Sequence, residues 1–149
     1  RLACSVTQGL AYSTGIPAIS VSSMQILAQG INREFRCAEV TVLINAHMEQ
    51  IYVGEFEFAE EQLISASEKA LYLDEFKKVN FSQGSFFVGD GCLLVKEYLK
   101  DFDPKVHERY PNAEDLLTEA ARRFKEGITL DPKDLEPVYL SGEEHWTKK

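Results

Sequence analysis

An α/β fold is predicted by three observations. Stretches of helical period (Leu2, Val6, Leu10; then Met24, Leu27, Ile31) precede runs of β-branched or strictly alternating residues at 38–44 and 50–58. The opening third reads helix, strand, helix, a fragment of an α/β layer whose other strands are not in it. The 149 residues, 44% of them apolar and 27% charged, suffice for one ordinary core or two small lobes and do not fit a disordered chain.

Each element follows in order. Arg1 to Ser13 reads as the body of a helix without a visible beginning, with Leu2, Val6, Gly9, Leu10 and Ser13 at helical spacing. Ala3, Cys4, Ser5, Thr7 and Ala11 make it small-sided, which suits packing on the chain's own sheet or a helix–helix contact. Gly15 and Pro17 stop it, the first as a C-terminal cap and the second because it cannot continue a helix. Residues 18–21 read as a short strand. Ser22 and Gln25 have the spacing of a capping box for a helix with Met24, Leu27, Ala28, Ile31 and Phe35 on its apolar stripe.

A hairpin is expected next. The Val-rich run 38–44 turns at 45–49, and 50–58 alternates with Tyr52, Gly54, Phe56 and Phe58 on one face and Ile51, Val53, Glu55 and Glu57 on the other. A helix is expected around 68–77, a short strand at 84–88 ending in Gly89-Asp90-Gly91, and a helix over 92–100. Asn112 should cap a helix that Gly127 closes, with Leu116, Leu117, Ala120, Ala121 and Phe124 as its buried stripe. Residues 128–149, with Pro132 and Pro137, read as an extended tail.

Composition excludes several functions. A net charge of −8 argues against independent nucleic-acid binding, which needs clustered Lys and Arg. The pairs Lys77-Lys78, Arg122-Arg123 and Lys148-Lys149 sit among carboxylates and read as solvated faces or tail. Cys4, Cys37 and Cys92 are odd in number, with no CxxC pair, which favours buried thiols in a reducing compartment, hence the cytoplasm. No apolar run approaches the roughly 20 residues that cross a bilayer, so no membrane partner is expected.

Catalytic signatures are equally sparse. His47, His107 and His145 stand far apart and form no HxxxH or HExxH pair. No G-x-S-x-G elbow occurs. Gly89-Asp90-Gly91 lacks the third glycine of a dinucleotide loop and any Walker lysine, so it reads as a tight strand-to-helix turn. Asp101 and Asp103 look like turn formers before Pro104. The expectation is no catalytic residue, no metal and no cofactor.

The run Thr7-Gln8-Gly9-Leu10-Ala11-Tyr12, then Gly15-Ile16-Pro17 and Val21-Ser22-Ser23, resembles the TsaB (YeaZ) family of bacterial proteins needed to make threonylcarbamoyladenosine in tRNA. The similarity continues through 45–52, Val88 to Gly91, the Pro111-Asn112-Ala113 helix start and 135–140, so it covers essentially the whole chain. The family usually reads D-A-R-M-G-E-V-Y at the hairpin. Here Asn45, His47 and Glu49 replace its Asp, Arg and Gly, and Ser141 stands where an Arg often follows.

The resemblance implies the C-terminal part of an actin-like ATPase (ribonuclease-H-like) fold with a truncated first lobe. Residues 1–36 would be the end of the N-terminal lobe and 37–149 the smaller C-terminal α/β lobe with its tail. It also implies a non-catalytic scaffold: an inactive paralogue that binds and supports the TsaD transferase, which modifies the tRNA adenosine beside the anticodon. A TsaE-like ATPase would join them, and tRNA would be met only through the complex. The first helix would pack against TsaD or in a homodimer through Leu2, Ser5, Val6, Gly9 and Leu10. The alternative is a catalytically active superfamily member, a kinase or metal-dependent transferase, whose active-site loops lie in the missing N-terminal portion.

Overall fold

The computed structural model describes residues 2–140. A five-stranded sheet of order β3-β2-β1-β4-β5 organises them. β1 (Glu39–His47), β2 (Gln50–Ala59) and β3 (Gln62–Tyr72) form an antiparallel meander, and β4 (Phe86–Val88) and β5 (Lys105–His107) add to β1 in parallel. The helices are α1 (Leu2–Thr14), α2 (Ser23–Phe35), the short α3 (Leu73–Phe76) and α4 (Lys96–Leu99), and α5 (Ala113–Lys125).

Alternation along β1 and β2 splits the core in two, because successive side chains leave opposite faces of a sheet. On one face Val40, Val42, Phe56 and Phe58 meet Met24, Leu27, Ala28 and Ile31 of α2. On the other, Leu43, Ile51, Val53 and Phe87 meet Phe76, Cys92, Val95 and Leu99. The face assignment expected for 50–58 therefore holds. Burial pushes the Cys92 thiol up to about 12; Cys4 and Cys37 are only half-buried.

Five local expectations need correction. Residues 68–72 are strand, not helix: Glu68 to Tyr72 continue the β3 ladder opposite Gly54 to Gln50, and only Leu73–Phe76 turns helical. Pairing with a central strand outweighs the helix propensity of Glu, Lys, Ala and Leu. Residues 18–21 form no ladder; Ala18 makes a single antiparallel bridge with Leu130. The helix expected over 92–100 is broken into a 3₁₀ turn at Asp90–Leu93, then α4, then a second 3₁₀ turn. The capping box at α2 is half-made. The Ser22 hydroxyl accepts from the Met24 N–H, while Gln25 is drawn away to Arg123. Phe35, at the end of that stripe, is exposed and lies beside His107 and Phe86 instead of entering the core.

The β1–β2 turn is strained. Met48 and Glu49, its two central residues, both have positive φ (48° and 61°), as a type I′ hairpin requires. Neither is the glycine or asparagine that adopts it cheaply. Glu49→Gly is expected to stabilise the chain by about 1 kcal/mol, the left-handed cost net of glycine's entropy. The carbonyl at 49, which accepts from the Leu73 N–H, is retained. A urea midpoint that stays or falls would contradict this.

Candidate functional site

α1 divides cleanly into two faces. Ala11 is buried with Ala18 and Leu135 in a small cluster separate from the sheet core, and Cys4 and Gln8 are half-buried beside it. The Gln8 side-chain amide donates to the Leu135 carbonyl at 2.9 Å. Gly15 (φ 70°) caps the helix, its N–H reaching the Ala11 carbonyl.

The opposite face carries the residues singled out from the sequence. Leu2, Ser5, Val6, Gly9 and Leu10 are all exposed, with Leu2 at 80% and Leu10 at 62% of their surface free. A Cβ at Gly9 would meet nothing within 4 Å. The hydroxyls of Ser13 and Thr14 are turned back onto the Leu10 carbonyl, so they add no free donor there. A groove of about 800 Å³ runs alongside, between Ala3 and Cys4 of α1, the start of α2, Ile44 and Tyr52 of the sheet, and Val138.

α5 reverses the expected pattern. Of its apolar stripe, Leu117 (64% exposed), Ala121 and Phe124 (63%) face water and Leu116 and Ala120 are only half-buried, while its buried residues are Asp115 and Glu119. The reason lies in α2, whose side away from the sheet is polar. Asp115, 2% exposed, is held by Arg33 (2.7 Å) and Arg109 (2.9 Å), and Arg109 also pairs with Glu34. Asp115 in turn raises the Arg33 pKa by hydrogen bond and charge. Gly30 makes room for this cluster: a Cβ there would lie 2.6 Å from an Asp115 oxygen and 2.8 Å from Arg109 Nε.

One turn later, hydrogen bonds from Arg122 above all, and from Arg123, hold the Glu119 carboxyl down at about 2. Arg123 also reaches the Gln25 side chain and the Ser20 carbonyl. The Arg122-Arg123 pair is therefore a half-buried clasp, not a solvated face. The i, i+4 spacing of Asp115 and Glu119 was the one legible signal for this cluster.

Gly89-Asp90-Gly91 is a tight turn with a packing reason. The Asp90 carboxylate accepts from the Asn45 N–H at 3.0 Å, tying the turn to the end of β1. His107 stacks on Phe86 and is half-buried. His145 and Lys148-Lys149 lie outside the described residues. Among the described residues no three His, Cys, Asp or Glu lie close enough to hold a metal ion. No helix there is long and apolar enough to cross a membrane.

Comparisons with known proteins agree with this architecture. The family profile described as "TsaD: tRNA N6-adenosine threonylcarbamoyltransferase" matches residues 1–147. The tRNA threonylcarbamoyladenosine biosynthesis protein TsaB of Escherichia coli is 30% identical over 155 residues, covering 99% of this chain and 67% of that protein. The protein of the same name from Haemophilus influenzae is 24% identical, covering 99% and 66%. The solved structure of YeaZ from Pseudomonas aeruginosa superposes with a TM-score of 0.81 at 29% identity, covering 94% of this chain and 67% of that one. The chain thus spans about two thirds of the length of these relatives. With a ribonuclease-H-like strand order and relatives of this kind, the chain belongs to the TsaB (YeaZ) family of the actin-like ATPase superfamily.

Proposed function

We propose that this chain serves tRNA threonylcarbamoyladenosine biosynthesis in the cytoplasm as a non-catalytic scaffold subunit. It holds a TsaD-like transferase through the outward face of α1, and a TsaE-like ATPase joins the pair. Residues 1–36 act as the end of an N-terminal lobe that carries this face, and 37–149 as the C-terminal lobe. Contact with tRNA comes through the complex, and a homodimer through α1 is the competing use of the same surface.

The observation that carries the reading is α1 itself. A helix that spends Cys4, Gln8 and Ala11 on its own chain leaves Leu2, Val6 and Leu10 in water, a surface that association would bury. Gly9 and Ser5 between them let a second helix approach closely.

The test is co-elution with the TsaD-like protein of the same organism and stimulation of threonylcarbamoyl transfer, using the complete protein. Val6→Glu with Leu10→Glu should lower affinity at least about tenfold, since burying unpaired carboxylates is costly. Gly9→Leu should do the same by steric block while leaving this chain's fold intact, because the position is open. Unchanged co-elution and stimulation in both variants would refute the role of α1.

A further inference from the structure

β3 lies at one edge of the sheet and is 11 residues long, against 3 for β5 at the other edge. Its register fixes which backbone groups are spent. The Leu73 N–H reaches the Glu49 carbonyl, so by antiparallel alternation Ser65, Ser67, Lys69 and Leu71 turn their backbone groups to β2. Ala66, Glu68, Ala70 and Tyr72 turn theirs outward. The Tyr72 N–H is taken by the Glu75 carboxylate at 3.0 Å. The backbone groups of Ala66, Glu68 and Ala70 have no partner among the described residues, which makes them a template for a further strand. The centre of that template, Ser65-Ala66-Ser67, is exposed and carries no charge, proline or glycine to deter pairing.

One face of this edge tells what the added strand carries. Glu39 and Glu57 stand directly opposite each other on β1 and β2, an unfavourable like-charge pair, and Glu57 is opposite Ser65 on β3. Both acids are exposed, and among the described residues neither has an ion-pair partner; Lys69, the one cation of β3, is held by Glu55 at 3.2 Å. Together with Ser65 and Ser67 they line a trough of about 330 Å³. Neighbouring strands lie about 4.8 Å apart, so a strand added to β3 would run about 10 Å from β2. Ser65 and Ser67 are short enough for a Lys or Arg side chain to pass over them to the acids.

We infer that the free edge of β3 takes up an extended basic segment of another protein, with Lys or Arg at alternate positions facing Glu39 and Glu57. The backbone ladder supplies affinity and the acids select the sequence. On the other face Ala66 and Ala70 leave room for β-branched side chains between the cations. A second copy is a poor occupant: its β3 brings Glu68 and an already engaged Lys69, on a chain of net charge −8. No residue of α1 takes part, so the inference stands apart from the scaffold reading.

The experiment titrates the complete protein with a short peptide of alternating Lys and Val, and reads affinity and amide hydrogen exchange. Exchange should slow at Ala66, Glu68 and Ala70, whose N–H groups the added strand would cover. A peptide of alternating Glu and Val should not bind. Ala66→Pro removes an outward N–H and no bond to β2, so it should keep the fold and weaken binding at least about tenfold. Glu39→Gln/Glu57→Gln relieves a like-charge pair and leaves the edge intact. It should weaken binding about fivefold at about 50 mM salt and match wild type at about 500 mM. Unchanged exchange at the three amides, equal binding of the acidic peptide, or wild-type affinity in the Glu39→Gln/Glu57→Gln variant overturns the inference. Slowing at those amides that rises with protein concentration alone would give the edge to a second copy and overturn it as well.

Discussion

Gly89→Ala is expected to cost about 3 kcal/mol or more, which would leave a marginally stable chain largely unfolded. Gly89 sits at φ 110° and ψ 166°, a region open essentially to glycine alone. A Cβ there would lie 2.3 Å from the Leu43 carbonyl oxygen. Leu43 cannot give way, because it is fully buried in β1 and paired with Val53 across the ladder. Gly15→Ala is the control. That residue also has positive φ (70°), but its missing Cβ faces open space, so only the left-handed cost of about 1 kcal/mol remains. Urea unfolding of both variants reads the difference directly. Equal, small losses would show that the turn moves away from β1 at little cost.

The second large effect belongs to Asp115→Ala, expected to destabilise by about 3 kcal/mol. The carboxylate is buried between Arg33 and Arg109, so its removal leaves Arg109, itself mostly covered, without its inner counter-charge. Glu114→Ala, one residue earlier, removes only an exposed contact with Arg33 and should change stability by less than about 0.5 kcal/mol. The pair is measured by thermal or urea unfolding. An Asp115→Ala variant as stable as Glu114→Ala would mean that α5 is held by something other than this cluster.

The sequence showed most of the fold where a strong period met a clear boundary. The β1–β2 hairpin, the α1 cap at Gly15, the α2 stripe and the Asn112 cap of α5 all follow from local pattern. It failed where distant partners decide. Residues 68–72 look helical in isolation and become strand because β2 offers a full ladder. α5 shows an apolar stripe that any local reading would bury, yet the polar flank of α2 claims its acidic side instead. The candidate site was legible as a small-sided helix at residues 2–13. The packing of Pro132–Asp134 and Leu135 against that helix was not, because only folding brings so distant a segment back to α1.

Two helices of this chain, α1 and α5, turn aliphatic or aromatic side chains into water. Exposed apolar faces favour indiscriminate aggregation, and mutual repulsion among like-charged molecules opposes it. An excess of eight negative charges opposes contact between such bare helices of like-charged copies. As pH falls toward the isoelectric point that protection disappears while the apolar faces remain. Charge thus enters twice: in the buried Asp115 cluster that holds α5, and in the repulsion that opposes contact between bare helices.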